Sequence, residues 1–484
     1  MRTSISHPLQ IAEIQPTHGD GRIGITFCPG KVQPGAMSGS WNRDLDLDLD
    51  AIANWNAAAV VTLVEDHELK TLKVQALGQQ VAARHMHWHH LPIPDVSTPD
   101  ADFERLWMEV GEGLRARLRD GFNVLVHCKG GLGRAGTIAA RLMVELGAAP
   151  EAAVASVRKV RPGAIETAAQ LAHVMKLSAV PELRPSTDAD SVRDRASGAL
   201  LGLAVGDAVG TTLEFKSRDS YPLLADMVGG GPFRLTPGQW TDDTAMALAL
   251  ADSLTENPAL DEADLMRRFV DWHEKGTYSC TGSCFDIGVT TRQALSRWKK
   301  SGDPFAGSTD PMSAGNGSLM RLSPVAIRHW RNRALLRDVA ARQSRTTHGA
   351  AEAVDACVAF AEALADAIEG AKRSEVLRDR IEPLAGAIGP IMAGSWRGKP
   401  RRDVRSSGYV AHSLEASLWS VGRAGDFKEA VLLAANLGDD ADTTAAITGQ
   451  LAGALYGAST IPDAWLRKVA WSPRICAMAD GLMT

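Results

Sequence analysis

The chain has 484 residues, which is more than one ordinary domain holds, because domains usually contain about 100–200 residues. Hydrophobic residues make up 45% of the chain and charged residues 23%, the usual balance of a globular protein. The net charge of −5 excludes non-specific nucleic-acid binding as the main role, because neutralising phosphates needs a surplus of lysine and arginine.

The first part of the chain alternates short β-rich runs with helical stretches, which predicts an α/β fold with a central sheet flanked by helices. The predicted buried strands are 22–27, 59–64 and 123–126, and the predicted amphipathic helices are 102–119 and 136–146. These apolar runs are far shorter than the roughly 18–20 residues that cross a bilayer, so no membrane partner is expected.

Residues 181–191 are polar, contain proline and lack apolar periodicity. They predict a linker between a first domain of residues 1–180 and a second domain of residues 192–484. The second domain is rich in alanine and leucine at helical spacing, so it is predicted to be all-helical. The six cysteines are irregularly spaced, which favours free thiols and a cytoplasmic location. The predicted helices of the second domain include 195–206, 244–254, 265–272, 350–367 and 444–456.

One cysteine lies in a glycine-rich loop between a predicted strand and a predicted helix, in the sequence VLVHCKGGLGRAGT at 124–137. Successive backbone N–H groups in such a turn converge on an anion, and the helix N-terminus adds positive potential. The same field favours the thiolate of Cys128, which makes this residue a nucleophile. Arg134 follows after five residues, and its planar guanidinium can bind two phosphate oxygens at once.

The spacing His-Cys, five residues, Arg resembles the signature loop of cysteine-dependent protein tyrosine and dual-specificity phosphatases. Residues 25–68 resemble the cyclin-dependent-kinase-inhibitor-3-like branch of that family. The resemblance implies a phosphatase fold, a phosphorylated substrate and a phosphocysteine intermediate on Cys128. It also implies a general acid on an upstream loop, for which Asp95 is the candidate and Asp100 the alternative. The phosphate-binding residues implied are Lys129, Gly130, Gly131, Leu132, Gly133 and Arg134.

One position departs from the phosphatase pattern. The residue after the signature arginine is usually serine or threonine, whose hydroxyl helps the thiolate leave in the second step. Here that residue is Ala135, and Thr137 is two positions further along. The alternative that the domain binds phosphate groups but turns over slowly therefore stays open.

Two clusters of aspartate and threonine, WTDDT at 240–244 and GDDADTT at 438–444, each lead into an alanine-rich predicted helix. Their oxygens are hard ligands that suit Mg²⁺ or Mn²⁺. If the two helix starts face each other, the carboxylates would repel without cations, which predicts two divalent cations rather than one. Helix capping is the alternative explanation. The predicted ligands are Thr241, Asp242, Asp243, Asp440, Asp442 and Thr443.

The second domain resembles the ADP-ribosylglycohydrolase family, and most closely its bacterial dinitrogenase-reductase-activating members. Segments that carry the resemblance include 198–215, 237–254, 315–326 and 436–457. The resemblance implies an all-helical fold with a two-metal centre in a cleft. The further residues it implies are Asp286 and Glu214 for catalysis, Gly315, Asn316, Gly317 and Ser318 as a pyrophosphate cradle, and His348 in the ADP-ribose pocket.

Together the motifs predict a bifunctional hydrolase that removes ADP-ribose with two Mg²⁺ or Mn²⁺ ions and hydrolyses phosphate monoesters. The expected partners are an ADP-ribosylated protein, arginine-linked by resemblance, or an ADP-ribosyl small molecule, together with a phosphorylated substrate. A second domain that binds ADP-ribose without hydrolysing it is the alternative. The full set of acidic ligands argues against that alternative.

Overall fold

The computed structural model describes residues 1–36 and 39–484. The chain divides into two compact units, Met1–Glu182 and Leu183–Thr484. The predicted linker, 181–191, spans this division and also contains the start of the first helix of the second unit.

The first unit contains a sheet flanked by helices, as predicted. Its sheet has the strand order β1-β2-β7-β5-β6, in which β1 is antiparallel to β2 and the other neighbours are parallel. The remaining two strands, β3 and β4, pair with each other. The strands are β1 (Ala12–Ile14), β2 (Ile23–Phe27), β3 (Val32–Gln33), β4 (Trp41–Asn42), β5 (Ala57–Thr62), β6 (His87–His90) and β7 (Asn123–Cys128). The helices are α1 (Leu45–Asn54), α2 (Asp66–Thr71), α3 (Leu77–Ala82), α4 (Ala101–Arg119), α5 (Gly133–Glu145), α6 (Pro150–Val160) and α7 (Ala168–Val174).

Strand β7 lies at the centre of this sheet, between β2 and β5. Its residues are apolar on both faces, as expected of a strand covered by helices on either side. Val126 packs into one hydrophobic core with Ile25 and Ile138, and Leu125 packs into the opposite core with Val60. Because parallel strands end at the same edge of a sheet, the C-terminal end of β7 presents Cys128 there beside Phe27 of β2.

The second unit, all of whose residues are described, is built from helices and connecting segments and contains isolated bridges but no named strand. Its first five helices are α8 (Ala189–Gly210), α9 (Asp242–Glu256), α10 (Glu262–Lys275), α11 (Val289–Ser301) and α12 (Ser323–His329). The others are α13 (Arg333–Thr347), α14 (Ala351–Glu369), α15 (Arg373–Val376), α16 (Ile388–Met392), α17 (Val410–Arg423), α18 (Phe427–Ala435), α19 (Ala441–Tyr456), α20 (Asp463–Leu466) and α21 (Ser472–Met483). Short 3₁₀ turns lie at Thr211–Leu213, Pro311–Ser313, Arg401–Asp403 and Ala458–Thr460.

Helices α8 and α19 pack with their backbones in contact. A Cβ atom on Gly202 would lie 2.1 Å from the Gly449 carbonyl oxygen, and one on Gly206 would lie 2.1 Å from that of Ala445. Glycine at every fourth position of α8 gives this close approach. The partner numbers fall as the α8 numbers rise, so the two helices are antiparallel. The C-terminal end of α8 therefore meets the N-terminal end of α19, where the second acidic motif lies.

One stretch of the second unit, Ala189–Leu213, has the length and composition of a membrane span, with a mean hydropathy of 1.3. The apolar runs named above as too short to cross a bilayer do not include this stretch. In the structure 89% of the apolar window is buried inside the unit. Its apolar character therefore matches that of a core helix that packs on all sides.

Candidate functional sites

The glycine-rich loop of the first unit wraps around the Cys128 thiol at the end of β7. The backbone N–H of Gly131 donates to the Cys128 sulfur at 3.2 Å, and the thiol is buried. Gly131 has a positive φ of 69°, and a Cβ atom there would lie 2.5 Å from the Thr26 carbonyl carbon. Only glycine fits both the dihedral angle and the space. Helix α5 begins at Gly133, so its N-terminus points at the same loop.

Basic side chains hold the carbonyl groups of this loop from outside. Arg161 donates to the carbonyl oxygens of Gly131 at 2.9 Å and Gly130 at 3.2 Å. The buried ammonium of Lys31 donates to the Lys129 carbonyl oxygen at 3.1 Å. With the carbonyl groups held by these donors, the loop's N–H groups can converge on an anion.

Lys31 is enclosed by aromatic rings as well as by the loop. Its nitrogen lies 4.9 Å from the Phe27 ring centroid and 4.8 Å from that of Trp41. Burial lowers its pKa to about 8. Residues 25–68, which the sequence linked only to a family resemblance, therefore contain a residue, Lys31, that supports the phosphate loop.

Arg134 is buried and held by several acceptors. It forms a two-point ion pair with Glu68, at 2.6 and 3.1 Å, and donates to the Ile93 carbonyl oxygen at 3.0 Å. Burial works to raise the pKa of Glu68, but the hydrogen bonds and charge of Arg134 outweigh it and lower that pKa. Sequence reasoning missed Glu68, which lies far from the loop in sequence and carries no motif of its own.

The structure separates the two candidate general acids. Asp95 lies 2.9 Å from the Arg134 guanidinium and 3.9 Å from the Lys129 ammonium, so it reaches the phosphate site. Asp100 caps α4 by accepting the Phe103 N–H at 2.9 Å. The geometry therefore favours Asp95 over the alternative.

Position 135 lacks the usual serine or threonine hydroxyl, and the first turns of α5 supply no other hydroxyl in its place. The Thr137 hydroxyl is buried and donates to the Gly133 carbonyl oxygen at 2.8 Å, inside its own helix. Such a back-bonded hydroxyl faces the helix rather than the thiol. The departure seen in the sequence is therefore present in the three-dimensional site.

Buried carboxylates of the second unit converge where α8, α9 and α19 meet. Two groups share Asp442: Asp207 with Asp243 and Asp442, and Glu214 with Asp440 and Asp442. Within each group one oxygen per residue lies within 4.8 Å of the others. The N-terminal ends of α9 and α19 also meet here, and their partial positive charge favours anionic groups.

Asp207 is the residue that sequence reasoning missed in this cluster. Its carboxylate accepts the backbone N–H of Thr241 at 2.9 Å, the Thr244 N–H at 3.1 Å and the Thr244 hydroxyl at 2.6 Å. These bonds hold the start of α9 against α8. A lone aspartate in the apolar stretch GLAVGDAVG was the available signal, because an unpaired charge is rarely buried without a function.

The threonines of the two motifs lie among these carboxylates. The Thr241 hydroxyl lies 3.0 Å from an Asp207 oxygen and 3.4 Å from an Asp442 oxygen. The Thr443 hydroxyl lies 3.3 Å from an Asp243 oxygen. Asp242 lines the adjoining cavity. The structure thus brings all six predicted ligands to one place.

The protonation of the cluster reflects its crowding. Burial and the charge of Asp442 raise the pKa of Asp207 to about 7 and that of Glu214 well above its usual range. Burial and neighbouring carboxylates also raise the pKa of Asp242 and Asp243. So many carboxylates stay ionised together only when positive charge is supplied.

The donor set fits divalent cations. It consists of carboxylate and hydroxyl oxygens, which hard cations prefer. The Asp243 Oδ1 atom is buried and has no hydrogen-bond partner in the part of the chain that the structure describes. A buried carboxylate oxygen without a donor is costly, and a bound cation removes that cost.

The chain next to Glu214 forms a locked turn. Phe215 and Asp439 both have left-handed backbone angles, with φ of 59° and 55°. The Phe215 N–H donates to the Asp439 carbonyl oxygen at 2.8 Å, and the Asp439 N–H donates to that of Lys216 at 2.7 Å. Glu214 in turn accepts the Ala441 N–H at 2.8 Å. Left-handed non-glycine residues are strained and concentrate at functional sites.

Asp286 is the remaining acidic residue of the cleft. It too has a left-handed backbone, with φ of 60°. Burial and the charges of Asp442 and Asp242 raise its pKa to about 11. It lines a cavity of about 360 Å³ together with Glu214, Asp242 and Asp442. The two residues assigned to catalysis by resemblance therefore face one cleft with the metal motifs.

The predicted pyrophosphate cradle is only partly formed. Gly315, Asn316 and Gly317 line the cavity. The Gly315 N–H, however, donates to the Ser313 carbonyl oxygen, and the Asn316 N–H donates to that of Gly408. Ser318 is fully buried, and its hydroxyl bonds that of Ser344 at 2.8 Å. Local turn formation and core packing thus occupy groups that the sequence assigned to the ligand.

Asn316 acts through its side chain instead. Its amide nitrogen donates to Asp440 at 2.6 Å and to the Ser413 hydroxyl at 2.8 Å. These bonds orient Asp440 within the carboxylate cluster.

His348 faces the glycines of the cavity. A Cβ atom on Gly317 would lie 2.7 Å from the His348 Cε1 atom, so glycine is required for the ring to fit. Burial lowers the pKa of His348 to about 3, which keeps the imidazole neutral.

A hydrogen-bond chain that ends at Nδ1 favours the tautomer of that imidazole with its proton on Nε2. Buried Arg321 donates to the Thr347 hydroxyl oxygen at 2.9 Å, and this hydroxyl lies 2.8 Å from His348 Nδ1. Because arginine only donates, the threonine proton is free to bond Nδ1. The Nε2–H of His348 is then left as a donor beside Gly315 and Gly317.

Comparison with known proteins gives a matching family model for each of the two units. The family model for ADP-ribosylglycohydrolase matches residues 188–484, more than half of the chain. The chain belongs to the ADP-ribosylglycohydrolase family. Residues 28–175 match the model described as Swiss Army Knife protein, DSP-PTPase phosphatase domain. Both resemblances seen in the sequence, the fold class and the assignment as a hydrolase are confirmed.

Two relatives and one solved structure are similar to the second unit over nearly its whole length. ADP-ribosylarginine hydrolase Tri1 of Pseudomonas putida is 50% identical over 291 residues, covering 60% of this chain and 78% of the relative. ADP-ribosyl-[dinitrogen reductase] glycohydrolase of Rhodospirillum rubrum is 35% identical over 283 residues, covering 58% and 91%. A solved ADP-ribosylglycohydrolase-related protein complex is 40% identical with a TM-score of 0.54, covering 60% of this chain and 98% of that one.

Proposed function

We propose that the second unit hydrolyses the bond between ADP-ribose and an arginine side chain of a modified protein, with two divalent cations, Mg²⁺ or Mn²⁺. The observation that carries this proposal is the pair of carboxylate groups that share Asp442, whose members are buried except for the half-buried Asp440. The similarity to hydrolases named for ADP-ribosylarginine supports the choice of linkage.

The residues that would hold the cations are those of the two groups together with the neighbouring threonines. When bound, the cations would neutralise the carboxylates and order the ribose hydroxyls. The residues are Asp207, Asp243 and Asp442 for one cation and Glu214, Asp440 and Asp442 for the other, with Asp242, Thr241 and Thr443 beside them.

The remaining residues of the cleft act on two parts of the substrate, the ribose and the pyrophosphate. When the glycosidic bond breaks, its electron pair leaves with the nitrogen and positive charge develops on the ribose, which the Asp286 carboxylate stabilises. A water oxygen then bonds the anomeric carbon, and Asp286 accepts its proton. The Nε2–H of His348 binds an oxygen of the pyrophosphate, while Gly317 allows the approach of that group.

We also propose that the first unit hydrolyses phosphate monoesters. The Cys128 sulfur attacks phosphorus, and the sulfur–phosphorus bond forms as the bond to the leaving oxygen breaks. Asp95 donates a proton to that oxygen. Water then releases phosphate from the phosphocysteine, in a step that lacks the usual hydroxyl at Ala135. The contacts of Arg134 with Glu68 and of the loop with Arg161 support a preorganised phosphate site.

The glycohydrolase proposal is tested with an arginine-ADP-ribosylated peptide, after removal of metal by a chelator. Adding Mg²⁺ or Mn²⁺ is expected to restore ADP-ribose release, and two bound ions per chain are expected by titration. Release that is unchanged by the chelator would contradict the metal assignment, and no release under any condition would contradict the substrate.

The phosphatase proposal is tested by the time course of phosphate-ester cleavage on a chromogenic aryl phosphate. A burst of one phenol per chain followed by slower steady turnover is expected, because hydrolysis of the phosphocysteine lacks the hydroxyl that is missing at Ala135. A burst without any later turnover would favour the phospho-binding alternative.

A further inference from the structure

Three phenylalanines form a continuous aromatic surface at the edge of the acidic cleft: Phe215, Phe233 and Phe285, here called the aromatic rim. The Phe215 and Phe233 ring centroids are 6.3 Å apart with an edge-on arrangement, and those of Phe233 and Phe285 are 5.2 Å apart. Each end of the rim adjoins an acid of the cleft, because Glu214 precedes Phe215 and Asp286 follows Phe285.

Phe215 is exposed in a way that packing does not explain. It is 68% exposed, yet it lines the cleft beside Glu214 and Asp286. Its left-handed backbone is held by the hydrogen bond to Asp439. A large apolar side chain that is both exposed and held in a strained conformation is a signature of a binding surface.

The place of the rim relative to the substrate follows from the position proposed for the pyrophosphate. That group lies at the His348 donor, beside Gly315 and Gly317. The adenosine lies beyond the pyrophosphate. The acceptor is attached on the other side of the reacting carbon, which leaves it on the side of the two acids and the rim.

We infer that the aromatic rim binds the guanidinium of the ADP-ribosylated arginine and thereby selects the acceptor. This inference rests on the function proposed above. A substituted guanidinium is planar and cationic, and it stacks on an aromatic face while nearby carboxylates attract its charge. A neutral hydroxyl acceptor gains neither interaction.

The test is Phe215→Leu, which keeps an apolar side chain but removes the aromatic face. The expected result is a rise in KM for an arginine-ADP-ribosylated peptide of about three- to tenfold with kcat nearly unchanged. The guanidinium is already positively charged in the bound ground state, so loss of the aromatic face weakens substrate binding rather than the chemical step. Binding of free ADP-ribose, measured by calorimetry with Mg²⁺, is expected to stay within about twofold and reports that the cleft is intact.

Two further variants sharpen the test. Phe215→Tyr keeps the aromatic face and is expected to behave as wild type. Val228→Ala removes an exposed apolar side chain that does not line the cleft, and it is expected to change neither quantity.

Three results would overturn the inference. Equal losses for the peptide and for free ADP-ribose would place the ring against the nucleotide. An unchanged KM in Phe215→Leu, with an active wild type, would contradict the inference alone. A wild type that releases no ADP-ribose from this peptide would contradict the proposed function and the inference together.

Discussion

The two units hold their reactive groups under opposite charge. In the first unit, one loop and a few basic residues place positive charge around a buried thiol, with Arg161 and Lys31 supporting the loop. In the second unit, carboxylates from distant parts of the chain crowd together where α8 and α19 cross. The first arrangement attracts a phosphate without help, whereas the second needs cations before a phosphate-bearing substrate can approach.

The largest effect on activity is expected at Asp207, the buried acid outside both motifs. Asp207→Asn should reduce ADP-ribose release by about 10²- to 10³-fold, because it removes a cation ligand and weakens the bonds that hold the start of α9. Steady-state assays at saturating Mn²⁺ would measure this.

The matched control is Asp439→Asn, on the neighbouring motif. Its side chain is exposed and belongs to neither carboxylate group, and asparagine tolerates the left-handed backbone. It should retain activity. Equal losses in both variants would mean that negative charge in general, rather than ligation by Asp207, accounts for the effect.

Each unit contains a buried histidine that destabilises it in acid, and in the second unit the raised pKa values of Asp207 and Glu214 oppose that effect. Burial lowers the pKa of His127 and of His348 to about 3. Below pH 6.5 the unfolded chain takes up a proton that the folded chain does not, so stability falls as pH falls from 6.5 toward 3. At pH 5 each histidine should cost about 2 kcal/mol relative to pH 7.

Urea unfolding at pH 7 and pH 5 would measure that loss. Compared with wild type, His127→Asn should make the first unit more stable at pH 5 relative to pH 7, and His348→Asn should do the same for the second unit, because asparagine hydrogen bonds without titrating in this range. The same loss in each variant as in wild type would assign the acid sensitivity to other groups.

Gly317→Ala should weaken ADP-ribose binding by about tenfold and leave phosphate-ester cleavage unchanged. The added methyl would meet the His348 ring at 2.7 Å and displace its Nε2–H donor. Calorimetry with ADP-ribose would measure the effect. Gly481→Ala, on α21 and outside the cavity lining, has no atom within 4 Å of the added Cβ and is the steric control, which should bind more tightly than Gly317→Ala.

The smallest expected effect is a gain. Ala135→Ser should raise steady-state phosphate release by about three- to tenfold, because it returns the hydroxyl that Thr137 cannot supply from its bond to Gly133. The size of the initial burst should not change. A steady-state rate that stays at the wild-type value would mean that another group already assists the second step.

The two sites also differ in how much the sequence could predict. The phosphate loop is contiguous, so its nucleophile, glycines and arginine could be identified together. Glu68 and Arg161 could not, because they reach the loop only through the packing of the first unit. Asp207 lies in the apolar helix α8 and carries no motif of its own. It reaches the carboxylate cluster only because glycine contacts pack α8 against α19.

The predicted cradle shows a different limit of a sequence motif. A glycine-rich sequence suggested free N–H groups at Gly315 and Asn316, but turns and a partner segment occupy them. Likewise, the hydroxyl of Ser318 is used in the core. Which polar groups remain free for a ligand depends on tertiary contacts that a motif does not contain.

The proposal for this chain is that it carries two independent hydrolytic sites. It is tested most directly by measuring both activities, ADP-ribose release from an arginine-linked peptide and phosphate release from an aryl phosphate, on Cys128→Ser and Asp442→Asn. Each variant should lose its own activity and keep the other at the wild-type rate. Two independent sites would be contradicted if either variant lost both activities. They would also be contradicted if either variant kept the activity that it should lose.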